Sequence, residues 1–259
     1  VPLSCREIDF AFAPARPVLR GVSAEFPAGA VTAIIGPNGA GKSTLLRLLL
    51  GVLRPAAGKA LLDGHETRAL SGAMRASALA YVPQRPSLWA PFSVRETVAF
   101  GRFALRADPA SVEQALAATG LLDRAEDPFD TLSAGQQQRA ALARALAQSA
   151  GPGTGGTRCI LADEPCSAMD PRHAVESLAL LTTAARRGLT VLIVLHDFTL
   201  ARRVADWALV LDDSGRVDAF GPAAETLEPG RLSRVFATPI EQLGDGAGVA
   251  LVPRTGPKG

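Results

Sequence analysis

The stretch Gly36-Pro-Asn-Gly-Ala-Gly41-Lys42-Ser43-Thr44 fits the pattern GxxxxGK[ST]. Its glycines let the backbone curl so that successive N–H groups point inward, where they cradle phosphate oxygens. Lys42 brings a positive charge to the β- and γ-phosphates of a nucleotide, and Ser43 offers a hydroxyl to Mg²⁺. The flanks agree. Residues 31–35 are an apolar run of strand type that stops at the loop, and Leu45, Leu46, Leu49 and Leu50 continue with helical spacing. Strand, loop and helix follow in the order that brings a helix N-terminus, with its favourable dipole, to an anion. In a chain of this composition the pattern arises by accident only about 0.3% of the time. Gly36, Pro37, Asn38, Gly39, Ala40, Gly41, Lys42, Ser43 and Thr44 are therefore the candidate nucleotide-binding residues.

Outward from the loop, local signals alternate between strand and helix. Residues 3–10 and 22–26 alternate as strands do. Asp63-Gly64, after residues 60–62, signals a two-residue hairpin, and Asp213-Ser214-Gly215 a second. Asp108-Pro109 and Asp170-Pro171 look like N-caps with Pro at the first helical position; Gly120 and Gly188 close those helices. Residues 159–162 and 190–195 are short apolar runs of the kind buried in parallel sheets. The pattern predicts an α/β fold. Residues 85–147 carry helix signals without a strand. The expected organisation is one domain over 1–240, with core 1–84 and 148–240 and a helical insertion at 85–147. Residues 149–157 are loop by composition, and 241–259 form a flexible tail.

Composition excludes several classes. The chain has 259 residues, enough for a large core, and a net charge of only +2, too weak to argue for nucleic acid. Apolar residues make up 47%, yet no run reaches the ~18–20 residues of a membrane span. Cys5, Cys159 and Cys166 share no metal-ligand spacing, and fit a reduced, cytosolic chain. No charged segment followed by an apolar one opens the sequence, so no signal peptide is expected. Arg far outnumbers Lys, which occurs only at 42, 59 and 258.

Two further segments carry chemistry. Residues 159–164 are an apolar strand ending in Asp163 and Glu164. Beside a phosphate loop, Asp163 can hold Mg²⁺ through water and Glu164 can polarise an attacking water. Leu132-Ser-Ala-Gly-Gln136 opens a helix in which Ser133 and Gln136 have capping-box spacing. Gly135 in that first turn costs about 1 kcal/mol relative to Ala, so something must approach its backbone closely.

Taken together, the P-loop, LSAGQ and CILADE segments resemble those of the ATP-binding subunit of ATP-binding-cassette (ABC) transporters. Tyr81-Val-Pro-Gln84 resembles the family's Q-loop and Ser167-Ala-Met-Asp170 its D-loop. His196 resembles its switch histidine, and Phe12 stands where the family places an aromatic ring under adenine. The resemblance spans residues 3–236. It implies a P-loop NTPase (RecA-like) core with an antiparallel β-subdomain and an inserted α-helical subdomain. ATP and Mg²⁺ are the implied cofactors, with Ser43, Gln84 and Asp163 at the metal. Glu164, His196 and Gln84 are the implied catalytic groups. Two subunits would face each other head to tail, with Ser133, Gly135, Gln136 and Asp170 meeting the partner's nucleotide. Ala134 replaces a family glycine, and Cys166 and Met169 stand in the D-loop segment; none of these touches a group assigned to chemistry.

The segment Ser93-Val-Arg-Glu-Thr-Val-Ala-Phe-Gly101-Arg102 resembles importer subunits for iron–siderophore, haem and cobalamin. The Gly-rich spacer at 149–157, the stretch 131–148 and Leu195-His-Asp-Phe-Thr-Leu-Ala201 resemble the haem-import branch, so haem is the favoured cargo. The family implies two separate transmembrane permease subunits, a periplasmic or surface substrate-binding protein acting indirectly, and a place at the cytoplasmic face of the membrane. No nucleic-acid partner is implied. Trp89, in an apolar segment after Gln84, fits either a groove for the permease's coupling helix, as in the family, or local core of the helical insertion. His65 and His173 read as solvated surface residues rather than haem ligands. The competing hypothesis is an ABC-type ATPase that acts with soluble assembly factors instead of a permease.

Overall fold

In chain order the first elements are β1 (Leu3–Ala13), β2 (Arg16–Phe26), β3 (Val31–Ile35), α1 (Lys42–Leu49), β4 (Ala57–Leu62) and β5 (His65–Glu66). There follow α2 (Gly72–Ala78), β6 (Leu79–Val82), α3 (Val94–Ala99), α4 (Pro109–Ala118), α5 (Ala134–Ser149), β7 (Cys159–Asp163), α6 (Pro171–Arg186) and β8 (Thr190–Val194). The last are α7 (Phe198–Val204), β9 (Trp207–Leu211), β10 (Val217–Pro222), α8 (Ala223–Thr226), α9 (Pro229–Val235), β11 (Ile240–Leu243) and β12 (Ala250–Pro253). The computed structural model describes residues 3–13, 16–88, 90–150, 158–244 and 249–254. Contacts divide the chain into two units, residues 1–69 with 193–259, and residues 70–192.

In the first unit an antiparallel sheet has the order β2-β1-β4-β5. Leu3 pairs with Phe26 on one side and Leu62 on the other, and all three are buried. Asp63 (φ 49°) and Gly64 (φ 82°) make the tight β4–β5 turn, as the left-handed conformation of both residues requires. β3 is buried along its whole length and pairs in parallel with β9, which pairs antiparallel with β10. Asp206 fastens the start of β3, accepting from the Val31 N–H and donating its own N–H to the Val31 carbonyl, both at 2.9 Å.

The same unit holds a departure from the sequence expectation. Residues 250–253 are not a loose tail. β12 pairs antiparallel with β11, matching Ile240 to Pro253 and Leu243 to Ala250. Leu251 is buried, and its N–H and carbonyl both bond to the Thr199 hydroxyl, at 3.0 and 3.3 Å. Burial of Ile240 and Leu251 drives the pairing, which the Gly/Pro-rich composition hides. Residues 245–248 and 255–259 of the expected tail lie outside the described residues.

In the second unit β6 and β7 run parallel, with Leu79 beside Cys159 and Val82 beside Ala162. α3, α4 and α5 enclose a cluster of Val94, Val98, Leu116, Leu121, Phe129 and Ala143. Alanines along α5 let the other helices approach closely, which is why an Ala-rich helix is so deeply buried. Ser93 and Glu96 close a capping box on α3; Asp108 and Asp170 are the N-caps their Pro neighbours suggest. This unit takes in α2, β6, β7 and α6 as well as the helices of residues 85–147. Arg102 lies against the C-terminus of α5, where its guanidinium donates to the carbonyls of Ala147 and Ala150 at 2.7 and 2.9 Å. Residues 151–157 of the expected glycine-rich loop lie outside the described residues.

Candidate functional site

The phosphate loop belongs to the first unit. β3 delivers the chain to Gly36, and α1 starts at Lys42 behind Gly41, whose φ is 93°. The left-handed φ demands glycine there, and a Cβ would also lie 2.6 Å from the tip of the Leu19 side chain, which would have to move. Neither a side-chain cap nor an acidic residue occupies the first turn of α1. That is the arrangement an anion needs at a helix N-terminus. Lys42 is only 6% exposed, and its ammonium donates to the carbonyls of Gly36 at 2.7 Å and Pro37 at 2.9 Å. The charge is thus held inside the loop, where a triphosphate would compete for it. Backbone amides and an ammonium form a donor set that fits phosphate, and the hydroxyls of Ser43 and Thr44 offer oxygens that a hard cation can take.

Phe12 and His196 stand in the same unit. Phe12 is 65% exposed and meets Phe10 edge to face at 4.9 Å, leaving a ring face open for stacking. The N–H of Leu195 bonds to the Ile34 carbonyl at 3.3 Å, which brings exposed His196 to the end of the strand that precedes the loop. Asp197, next in the chain, caps α7 through the Leu200 N–H at 2.8 Å.

The acidic pair belongs to the second unit. β7 is buried throughout and ends at Asp163, itself 2% exposed. The Tyr81 hydroxyl donates to Asp163 Oδ2 at 3.5 Å. Glu164 follows with φ 48°, a left-handed conformation that side-chain-bearing residues rarely adopt. Its Oε2 accepts from Gln84 Nε2 at 2.7 Å. The structure therefore brings Gln84 and Glu164, 80 residues apart, into direct contact.

The LSAGQ helix is built as its spacing predicts. Ser133 Oγ accepts from the Gln136 N–H at 3.3 Å, and Gln136 Oε1 accepts from the Ser133 N–H at 2.9 Å. Ala134 sits in the helix without positive φ, so the missing family glycine costs nothing there. Gly135 has a reason within its own chain. A Cβ on it would lie 2.7 Å from the Ala168 carbonyl oxygen. The close approach that the sequence attributes to a partner's phosphate is already made by the D-loop segment. Gly135→Ala gains at most about 1 kcal/mol of helix propensity against about 1–3 kcal/mol of overpacking. It should lower the Tm of the nucleotide-free protein by several degrees. An unchanged Tm with lost hydrolysis would assign the glycine to the partner's nucleotide alone.

Asp170 is engaged as the α6 cap, accepting from the His173 N–H at 3.0 Å and pairing with its ring at 2.6 Å. These bonds hold its carboxyl below the usual carboxylate range. Burial pushes the Cys166 thiol up to about 12, so it is no nucleophile at neutral pH. The Met169 sulfur accepts from Ser177 Oγ at 3.3 Å. His65 is exposed, and Trp89 lies outside the described residues.

Sequence reasoning passed over Gln138. It lies on the buried side of α5, with its side-chain amide against the loop of Gln84 and the turn after Glu164. Its signal is a polar residue on the alanine stripe that continues through Ala141 and Ala145.

The ABC transporter family profile matches residues 19–167, more than half of the chain. The hemin import ATP-binding protein HmuV of Nocardia farcinica is 42% identical over 236 residues, which is 89% of this chain and 79% of that protein. A chain of a proposed metal-chelate type ABC transporter, solved in an inward-facing conformation, matches with TM-score 0.80 at 28% identity over 98% of both chains. A dimeric ATP-binding cassette in a post-hydrolysis state, bound to ADP and Pi, matches with TM-score 0.75 at 26% identity, over 85% of this chain and 98% of that one. With the phosphate loop, the acidic strand end and the capped LSAGQ helix built as described, the chain belongs to the ABC transporter family, as one of its ATP-binding, ATP-hydrolysing subunits.

Proposed function

We propose that this subunit powers the import of an iron chelate, haem foremost, through a separate membrane permease. The observation that carries it is the Glu164 carboxylate held 2.7 Å from the Gln84 amide, in a chain 42% identical to a hemin import ATP-binding protein. Lys42 exchanges the carbonyls of Gly36 and Pro37 for phosphate oxygens, while the amides from Gly39 to Thr44 surround them. Phe12 stacks under adenine. By the family's pattern Ser43 of the phosphate loop would hold Mg²⁺, and Gln84 and, through water, Asp163 would be assigned to the same ion; a small oxygen-ligand set that leaves room for waters and phosphates suits it. When bound, the metal neutralises charge across the β- and γ-phosphates. Glu164 orients and polarises the attacking water, and His196 contacts the γ-phosphate. Catalysis is then positioning and electrostatic stabilisation.

Two copies assemble head to tail, so that Ser133, Gly135, Gln136 and Asp170 of one meet the nucleotide of the other. Two permease subunits dock on the pair at the cytoplasmic face of the membrane, and a periplasmic or surface binding protein acts through them. No helix among the described residues is long and apolar enough to cross a membrane. A cavity of about 550 Å³ lined by Pro86, Leu88, Pro91 and Phe129, next to Trp89 in sequence, supports a groove for a permease helix. The near-neutral charge gives no support for nucleic acid.

Deletion of this subunit from its source organism should abolish growth with hemin as sole iron source. The native chain should restore it and Glu164→Gln should not. Growth kept on hemin but lost on a ferric siderophore, or a defect confined to cobalamin, would move the cargo.

A further inference from the structure

Behind the Gln84–Glu164 contact stands a side chain that none of the roles above uses. Gln138 is 1% exposed. Its Nε2 donates to the Gln84 carbonyl at 3.1 Å, the Glu164 carbonyl at 3.2 Å and Ser167 Oγ at 3.0 Å. Its Oε1 accepts from the Ala168 N–H at 2.9 Å. Two amide hydrogens shared among three acceptors make a forked arrangement. The partners come from the loop after β6, the residue after β7 and the turn before α6. One buried amide therefore ties all three segments to α5.

We propose that Gln138 is a positioning residue for ATP hydrolysis. It fixes the backbones of Gln84 and Glu164, so that the amide of one and the carboxylate of the other meet in the geometry that an attacking water needs. The proposal rests on the assignment of Glu164 as the group that polarises this water. Two observations carry it. Glu164 sits at φ 48°, a conformation that persists only where the surroundings hold it. Within its own turn the Glu164 carbonyl accepts from the Ser167 N–H at 3.2 Å, and Gln138 adds a hold from outside the turn. Secondly, the hydrogen bonds that Gln138 donates to Gln84 and Glu164 go to their carbonyls, so its loss leaves both reactive side chains present and loosens their alignment.

The test uses the full chain, with Gln138→Met, which keeps length without hydrogen bonds, and Gln138→Glu, which keeps shape and the acceptor for Ala168 but not the donor. Each should lower kcat about 10- to 100-fold, the size of effect that a small misplacement produces. KM and the affinity for Mg-ATP should stay within about twofold. A purely structural residue would reduce Tm and the amount of active protein, and leave kcat per bound nucleotide alone. The decisive readout is single-turnover hydrolysis in a Glu164→Gln background, where adding Gln138→Met should slow the reaction no further. Equal slowing in both backgrounds, or an unchanged kcat, overturns the proposal. Should the Met variant fail to fold, Gln138→Glu carries the same comparison. Full turnover in Glu164→Gln itself would overturn the assignment of Glu164 and this proposal with it. An inactive Glu164→Gln beside a fully active Gln138→Met would overturn the role of Gln138 alone.

Discussion

Glu164→Gln should bind Mg-ATP as the native chain does and hydrolyse it about 10²–10⁴-fold more slowly, the usual contribution of a positioned acid–base group. The substitution is nearly isosteric. Glu164 lies past the end of β7 with φ 48°, and Gln pays the same backbone cost there. Its side-chain oxygen still accepts from Gln84 Nε2, now 2.7 Å from a carboxylate oxygen. What disappears is the negative charge and the second basic oxygen, which a water must have to give up a proton. A loss of that size corresponds to about 2.7–5.5 kcal/mol of transition-state stabilisation, so packing changes need not be invoked. Thermal melting should match the native chain. With ATP the variant should accumulate as a dimer on size-exclusion chromatography, because the nucleotides that bridge the two copies are not consumed. Full turnover would move the catalytic base elsewhere.

The features legible in the sequence are those that short-range physics dictates. The loop at Gly36–Thr44 is one. The caps at Asp108, Ser133 and Asp170 are others, since each needs only a side chain and an N–H three residues on. The turn at Asp63-Gly64 is a third. What escaped depends on contacts between distant segments. Residues 79–82 show no alternation, and become a strand because β7 lies parallel beside them. Residues 250–253 read as tail until Thr199 and residues 240–243 supply partners. Gly135 looked costly for a helix, and the cost was read correctly. Its nearest cause, the Ala168 carbonyl, lies 33 residues along the chain and leaves no mark on local pattern. The same holds for the fork at Gln138. A buried Gln is a signal on an alanine stripe, but its partners at Gln84, Glu164 and Ser167 are 54, 26 and 29 residues away. Nor does composition announce that Glu164 sits at positive φ.

Lys42→Ala should weaken Mg-ATP binding by about 10²-fold, and the magnitude follows from what the ammonium does before and after nucleotide arrives. Charge-assisted hydrogen bonds to phosphate contribute about 1.5–3 kcal/mol each. Two of them would predict a loss well beyond 10²-fold on their own. Against this stands the cost of releasing the carbonyls of Gly36 and Pro37, which hold the ammonium at 2.7 and 2.9 Å. Each of those bonds is worth about 1.5 kcal/mol or more, because the donor is charged. Taken at the upper end of the phosphate range, the difference leaves about 3 kcal/mol, or about 10²-fold. Lys42 is nearly buried, so truncation also removes packing; Lys42→Met keeps the stem and loses only the charge, and should weaken binding by a similar factor. Thermal melting separates affinity from misfolding. A nucleotide at 100 times its Kd stabilises by about 2.7 kcal/mol, whereas a 10²-fold weaker site at the same concentration gains about 0.4 kcal/mol. The native chain should therefore show a clear rise in Tm with Mg-ATP, and both variants almost none, from a similar starting Tm in the Met variant. Arg at position 42 should not rescue, because a planar guanidinium does not fit a cradle shaped around a single ammonium. If either charge-free variant binds Mg-ATP with native affinity, the phosphates are held elsewhere and the loop at Gly36–Thr44 is only a turn before a helix.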